Sequence, residues 1–241
     1  MKKYSLFSAG LAALVLVSGC KSRDIELSSD LSDVSETNTD KAFTAVYGSD
    51  GGAEDTAAAA DIIEKRLKAV CDGDFTVSAD GSSITIELPD KTDSEAEELL
   101  KDIDKTALLT FRMGWSGDIP EGGSYEDLEL VLTGAEVDNA GAFYNSVDYQ
   151  FAVDLKLDEK GAEAFKAATR AACDKLRDNG EYGYISIWLD SEELCAPMVS
   201  AVIENGMCVI SGGFDIDSAV RLADLINFGA LPVNLTRSYA E

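Results

Sequence analysis

The side chains of this chain that could do chemistry are cysteines and carboxylates, because its 241 residues include no histidine. The usual serine and cysteine triads and most zinc sites therefore lack their commonest member. A hydrolase that uses carboxylates alone would need two facing acids with separated pKa values, and nothing in the sequence asks for such a pair. We expect no enzymatic activity, no metal site and no cofactor.

Acidic residues outnumber basic ones by 45 to 20, and the excess is spread along the chain. Neighbouring carboxylates are expected by chance at this abundance, and they are typical of solvated surfaces. The net charge of −25 repels nucleic acid phosphates and anionic headgroups, since binding to both depends on lysine and arginine. The composition therefore excludes nucleic acid binding.

The first cysteine, Cys20, ends a segment with the features of an export signal. Two lysines precede an apolar run at residues 6–17, and small residues lead from this run to Cys20. The run is too short to cross a hydrocarbon core of about 30 Å, so residues 1–19 are predicted to be a signal peptide. An ordinary signal peptide would end in an Ala-x-Ala type of site, whereas here the small residues run directly into a cysteine.

The tetrapeptide that ends at Cys20, Val-Ser-Gly-Cys, resembles the lipobox of bacterial lipoproteins. Val17 stands where leucine is usual. The resemblance implies cleavage before Cys20 and lipid attachment to this residue, which would hold the protein on the outer face of the cell membrane. Two or three acyl chains would be needed for stable anchoring, because one chain binds a membrane only marginally. The polar residues 20–40 predict a disordered, solvated tether between lipid and domain.

Four further cysteines, Cys71, Cys173, Cys195 and Cys208, could form disulfides in an exported chain, and they allow three pairings. If one bridge exists, we choose Cys195 with Cys208, because both lie in strand-like segments of one apparent hairpin. A tight turn at 205–206 would put the two cysteines out of register, so this bridge needs a longer loop. Free thiols are the alternative that we favour.

From residue 41 onward, strand patterns and helix patterns alternate. The predicted elements are strands at 42–47, 75–79, 84–88 and 108–113, and helices at 55–70 and 94–103. Ser94 and Glu97 form a predicted capping box for the second helix. The order strand, helix, strand, strand, helix, strand is that of the split βαβ unit of ferredoxin-like domains.

Three glycines and a proline in residues 115–123 indicate a subdomain boundary. The elements predicted beyond this boundary are a strand at 151–157, a helix capped by Asp158, strands at 185–189, 195–203 and 207–211, a helix capped by Asp217, and a strand at 231–239. This second part therefore also mixes helices and strands.

Several segments of this second part, taken in order, resemble one family. They are Leu132-Thr133-Gly134, the run from Leu157 to Ala162 with Phe165 and Thr169, Leu189-Asp190 leading to Ala196-Pro197, the run from Ile210 to Phe214, and Gly229-Ala230-Leu231-Pro232. Their order and spacing are similar to those of the first periplasmic domain of SecD, a membrane subunit that assists the Sec translocon, and the similarity covers residues 41–241.

The resemblance implies an α+β fold with two subdomains. A ferredoxin-like split βαβ base would consist of residues 41–113 and 217–241, and an α+β head would be inserted at residues 114–216. In SecD a transmembrane helix precedes this domain, whereas here a lipoprotein signal stands in front of it. The turn at residues 190–197 also departs from the SecD pattern, so the contacts of the head cannot be transferred residue by residue.

The resemblance also implies a function outside the membrane. We expect a non-enzymatic lipoprotein that assists protein export by transient contact with exported polypeptide or with Sec translocon subunits. Four apolar side chains of the predicted head are candidates for contact with polypeptide: Trp188, Met198, Met207 and Phe214. Burial in the core is the more frequent role of such residues. A lipoprotein that uses the same fold to bind a solute or a peptide is the alternative, and a deep apolar pocket would favour it.

Overall fold

The computed structural model describes residues 42–147 and 149–238. The predicted signal peptide, the lipidation site at Cys20 and the tether lie outside the described residues. The described residues form twelve strands and four α-helices, together with short 3-10 turns.

The elements up to residue 113 follow the predicted order. They are β1 (Phe43–Ser49), α1 (Ala53–Val70), β2 (Thr76–Asp80), β3 (Ser83–Leu88), α2 (Asp93–Leu100) and β4 (Leu109–Met113). The elements that follow are β5 (Leu130–Thr133), β6 (Val137–Asn145), β7 (Gln150–Leu157), α3 (Glu159–Asn179), β8 (Gly183–Leu189), β9 (Glu192–Cys195), β10 (Met198–Val199), β11 (Met207–Phe214), α4 (Ile216–Phe228) and β12 (Leu235–Ser238).

The base is a four-stranded antiparallel sheet in the order β12-β1-β3-β2, with α1 and α2 packed on one face. Buried Ile63 and Leu67 of α1 and Leu100 of α2 meet Ile84 and Ile86 of the sheet in one apolar core. This strand order, with β12 as the fourth strand, is that of a ferredoxin-like split βαβ fold. The predicted fold class is therefore confirmed.

The predicted base, residues 41–113 and 217–241, included one strand that the structure places in another sheet. The segment predicted at 108–113 is β4, which lies in the centre of a second sheet, between β8 and β5. Residues Leu109–Arg112 are all buried, so β4 needs partners on both faces, whereas β12 alternates half-buried and exposed residues as an edge strand does. The chain therefore leaves the base after Ile103 and returns to it at Leu231, ahead of β12.

The head contains two sheets around a second apolar core. One sheet has the order β10-β8-β4-β5 with β9 paired to β8, and the other has the order β11-β7-β6. Helix α3 packs on the first sheet, and α4 packs mainly on β6 and β7 through Ala219, Leu222 and Ile226. The predicted base included β4 and α4, but the buried apolar side chains of β4 and most of those of α4 belong to the core of the head, while α4 also contacts α1 of the base.

The predicted helix starts are partly confirmed. Asp158 caps α3, because its carboxylate accepts a hydrogen bond of 2.7 Å from the amide of Gly161. The capping box of α2 is formed by Thr92 and Glu95 instead of Ser94 and Glu97, and Asp215 caps α4 instead of Asp217. In both corrections the helix begins two residues earlier than the prediction.

The apparent hairpin that holds Cys195 and Cys208 does not form. Strands β9 and β10 pair with β8, whereas β11 pairs with β7 in the other sheet of the head. The two cysteines are buried in the core between these sheets, and the structure records both as thiols. Burial, with a smaller contribution from Cys195, raises the pKa of Cys208 to about 12. A disulfide between them stays a prediction.

Candidate polypeptide-binding surfaces of the head

Trp188, the largest of the predicted polypeptide-binding side chains, lies inside the head. Only 5% of it is exposed, and its ring stacks on Tyr125 with 5.2 Å between centroids. The guanidinium of Arg112 lies 5.0 Å from the same Tyr125 ring, and the indole nitrogen donates a 2.7 Å hydrogen bond to Ser186. These contacts hold the ring in place, so Trp188 supports the head sheet from within.

The other three candidates lie at the surface but do not form one site with each other. Met198 is half-buried on β10, Met207 is 50% exposed at the first position of β11, and Phe214 is half-buried at the last. The β7 partners of Met207 and Phe214, Lys156 and Phe151, are five residue steps apart, which corresponds to roughly 17 Å along the sheet. The structure therefore does not bring the four predicted side chains together.

Phe214 belongs to a row of aromatic residues that crosses three strands. Tyr144 of β6 is paired with Phe151 of β7, and Phe151 is paired with Phe214 of β11. The rings of Tyr144 and Phe151 meet edge to face at 5.2 Å. Phe151 lies on the same face as the buried Val153, because residues two apart on a strand point the same way. The row therefore lies on the core-facing side of the sheet and extends it to the molecular surface, where Tyr144 is 52% exposed.

The loop between β6 and β7 adds two more apolar side chains at this end of the head. Val147 is 75% exposed and Tyr149 is 77% exposed. We call Tyr144, Val147, Tyr149, Phe151 and Phe214 the aromatic tip. Exposed aromatic residues that cluster in this way are typical of surfaces that bind other chains.

A second surface feature is a groove of about 240 Å³ beside β5, which we call the β5 groove. All four residues of β5 line it, and Glu136, Lys160 and Ala164 form the opposite side. An ion pair of 2.7 Å between Lys160 and Glu136 closes one end. The hydrogen bond from Lys160 is the main reason that the pKa of Glu136 falls to about 2, and bonds from Thr133 add to this effect.

The head joins the base through two chain crossings, at residues 101–108 and 229–234, which we call the junction. Arg66 of α1 is buried beneath it and donates hydrogen bonds to the carbonyls of Ile103 at 3.0 Å, Lys105 at 2.6 Å and Gly229 at 3.0 Å. One guanidinium therefore holds both crossings. Burial lowers the pKa of Arg66 to about 10, so the group is still charged at neutral pH.

Asp190 fixes the head side of the junction. Its carboxylate accepts hydrogen bonds from the amides of Leu108 at 2.9 Å and Ala107 at 3.3 Å. Ala107 and Asp190 both have φ near +55°, a conformation that non-glycine residues seldom adopt. Asp190 belongs to the Leu189-Asp190 motif of the sequence, but its role as an acceptor for the crossing follows only from the structure.

These surfaces offer apolar contacts and hydrogen bonds instead of reactive groups. In residues 42–147 and 149–238, no group of three or more cysteine, aspartate or glutamate side chains could hold a metal ion. Within the same ranges, no helix combines the length and the apolar character needed to cross a membrane.

Comparison with known proteins points to one family. The family described as the SecDF P1 head subdomain matches residues 122–233, a range that includes α4. The protein translocase subunit SecD of Leptotrichia buccalis is 30% identical over 72% of this chain and 39% of that protein. The SecD of Sebaldella termitidis is 31% identical over 73% and 39%, and that of Acetobacter pasteurianus 28% identical over 73% and 36%. The chain thus spans 36% to 39% of the length of these relatives.

Solved structures show the same fold. A structure of SecDF, described as a membrane component that enhances protein export, is 23% identical with a TM-score of 0.69 over 83% of this chain and 99% of that chain. A crystal structure of SecDF in its super-membrane-facing form has the same identity and TM-score over 82% and 30%. The described part of the chain is therefore a periplasmic domain of the SecD type, with the SecDF P1 head subdomain at residues 122–233.

Proposed function

We propose that this protein is a lipid-anchored accessory of Sec-dependent protein export, and that its head makes transient contacts with exported polypeptide or with translocon subunits. The aromatic tip carries this proposal, because it exposes apolar side chains on a head of the SecD type. The relatives that are named protein translocase subunits support the choice of process.

The size of the aromatic tip fits a weak and reversible contact. Its three most exposed side chains, Tyr144, Val147 and Tyr149, offer together about 350 Å² of surface. Burying this area would contribute about 9 kcal/mol, at roughly 25 cal/mol per Å². Association itself costs about 4 to 15 kcal/mol, so little affinity is left. A weak contact suits a protein that must release each exported chain, and no bond is made or broken in it.

In this proposal the N-terminal segment determines the cellular location of the protein. Lipid on Cys20 anchors the chain, and residues 20–40 act as a solvated tether that lets the domain reach exported chains outside the membrane. Replacing Cys20 by serine should abolish the incorporation of a labelled fatty acid and should leave the uncleaved precursor. Unchanged labelling in the Cys20→Ser variant would contradict lipidation at this residue.

The alternative function, binding of a solute or a peptide in a preformed pocket, requires a deep apolar cavity. Two cavities in the described part of the chain are of another kind. One, of about 330 Å³, lies along a single helix, α3, and is lined by charged residues and alanines. The other is the β5 groove. Neither cavity offers the enclosure that a small ligand needs, so the geometry favours export.

Photocrosslinking in cells tests the proposed contact. A photoreactive amino acid at Tyr149 should form crosslinks to exported chains or translocon subunits, because this side chain protrudes from the aromatic tip. The matched control is Tyr182, an aromatic residue that is 49% exposed in the segment between α3 and β8. Crosslinks of equal yield from both positions, or none from Tyr149, would contradict the proposal.

A further inference from the structure

The two sheets of the head differ in whether a side chain binds the backbone groups of their edge strands. At the edge of β6, the side-chain amide of Asn227 accepts a hydrogen bond of 2.8 Å from the amide of Ala140 and donates one of 2.9 Å to its carbonyl. This side chain takes the place of a neighbouring strand. Edge strands that lack such protection can pair with another chain.

Strand β5 is the last strand of its sheet in the described ranges, and it pairs with β4 on one side only. A side chain covers its C-terminal end, because Glu136 accepts the hydrogen bond of the Thr133 amide at 2.9 Å. The remaining part of the edge borders the β5 groove, and Leu130 is exposed at its open end. The site is therefore an open strand edge beside a helix, with the groove of about 240 Å³ between them.

The charges around the β5 groove select the kind of chain that could enter. Glu126, Asp127 and Glu129 precede β5 in the sequence and are exposed. Lys160, the one basic residue that lines the groove, is paired with Glu136. An acidic rim of this kind attracts basic partners and repels acidic ones.

We infer that β5 binds an extended polypeptide segment by strand addition, and that the preferred segment alternates apolar with basic or neutral residues. Main-chain hydrogen bonds to β5 hold the segment, apolar side chains enter the groove over Ala164, and basic side chains meet the acidic rim. This inference rests on the proposed function for its natural ligand, an unfolded exported chain. It differs in the site and in the mode of recognition, because the aromatic tip recognises side chains and β5 recognises backbone.

A synthetic peptide tests the inference on the full-length protein. The probe is a peptide of about eight residues in which valine alternates with lysine or threonine, long enough to span β5. Its matched control has the same sequence with alternate backbone amides methylated, which removes donors and keeps the side chains. Strand addition predicts that methylation weakens binding by at least about tenfold, as measured by isothermal titration calorimetry, because two or more hydrogen bonds are lost.

Two protein variants locate the site. Ala164→Gln fills the groove without disfavouring the helix, so it should weaken binding by at least about tenfold. Ala167→Gln adds the same side chain three residues further along α3, at an exposed position that does not line the groove, and should leave the affinity unchanged. Equal affinity for the parent and methylated peptides, or an affinity that Ala164→Gln leaves unaltered, would overturn the inference, and so would the absence of peptide binding.

Failure of strand addition can be distinguished from failure of the proposed export function. Replacing Tyr149 by serine removes part of the aromatic tip and should leave the affinity for the synthetic peptide as it is. If the peptide does not bind while crosslinks from Tyr149 persist in cells, strand addition is refuted and the export function stands. If the peptide binds as expected while no crosslinks form, the export function fails and the strand-binding site remains.

Discussion

Replacing Arg66 by methionine tests how the junction is held, because methionine keeps most of the length of the side chain while it removes the charge and all donors. The three carbonyls that Arg66 binds belong to both chain crossings, and they lie 37, 39 and 163 residues away along the chain. Loss of these hydrogen bonds should therefore weaken the attachment of the head to the base. We expect a lower free energy of unfolding for Arg66→Met.

Two opposing contributions determine the size of this effect. Loss of three charge-assisted hydrogen bonds, one buried and two partly buried, costs roughly 2 kcal/mol each, or about 6 kcal/mol. The lowering of the Arg66 pKa from 12.5 to about 10 shows that burial disfavours the charged group, by about 3 kcal/mol at 1.36 kcal/mol per pKa unit. Methionine removes this second cost. The expected net loss in the free energy of unfolding is therefore about 3 kcal/mol.

Urea unfolding of the full chain, followed by tryptophan fluorescence and circular dichroism, measures this loss. The matched control is Lys68→Met on the same helix, since Lys68 forms an exposed ion pair with Glu64. Its free energy of unfolding should change by less than about 0.5 kcal/mol, as is usual for surface pairs. If Arg66→Met is no less stable than the control, the guanidinium does not hold the junction and the reasoning is refuted.

Three further predictions concern Glu136, Cys208 and Asn227. The pKa of Glu136 is lowered from 4.5 to about 2, so its pair with Lys160 stabilises the protein fully above about pH 4.5 and loses this effect as pH falls through 2. Glu136→Gln should remove about 1 to 2 kcal/mol of that acid dependence, allowing for solvent screening of the exposed lysine, and an unchanged pH profile of unfolding would contradict this. Burial keeps the Cys208 thiol protonated, so iodoacetamide at pH 8 should leave it unmodified in the folded protein, and mass spectrometry of oxidised samples shows whether it pairs with Cys195. Asn227→Ala should uncover the β6 edge, cost about 1 to 2 kcal/mol and increase association in light scattering, whereas an equally stable monomer would argue against edge protection.

The sequence predicts the local elements of the base well because their apolar patterns are regular. The alternation of Ile84, Ile86 and Leu88 identifies β3, and all three side chains are fully buried. Local pattern does not determine which strands become neighbours, since this depends on contacts between distant segments. For that reason β4 is recognised as a strand but is assigned to the base together with the last strand, whereas the structure has only β12 in the base sheet.

Strands β5 and β6 are absent from the predicted elements. Strand β5 has four residues, and β6 contains Gly141, Asn139 and Asp138 with one buried side chain, Ala140. Neither segment shows the alternation of a half-buried strand, because both lie at sheet edges where burial is incomplete. The aromatic tip includes Tyr144 of β6, so without a prediction of β6 it could not be assembled from the sequence.

Arg66 is the functional residue with the clearest overlooked signal. It follows Ile63 by three positions, so helical spacing places it on the same face as the buried Ala59, Ile63 and Leu67. A charged residue on an apolar helix face needs polar partners when it is buried. The sequence does not reveal these partners, because they are backbone carbonyls of distant loops instead of acidic side chains.

The aromatic tip and the β5 groove belong to different sheets, yet they should move as one body. Buried residues of both sheets, among them Phe111 and Val153, share a single core, and close-packed cores of this kind do not deform easily. The elements that leave the junction, β4 and α4, are both part of this core. A change at the junction, such as the loss of Arg66, should therefore reorient both binding surfaces relative to the base without altering either surface. The junction would then control where an exported chain is held, while the head alone determines what is held.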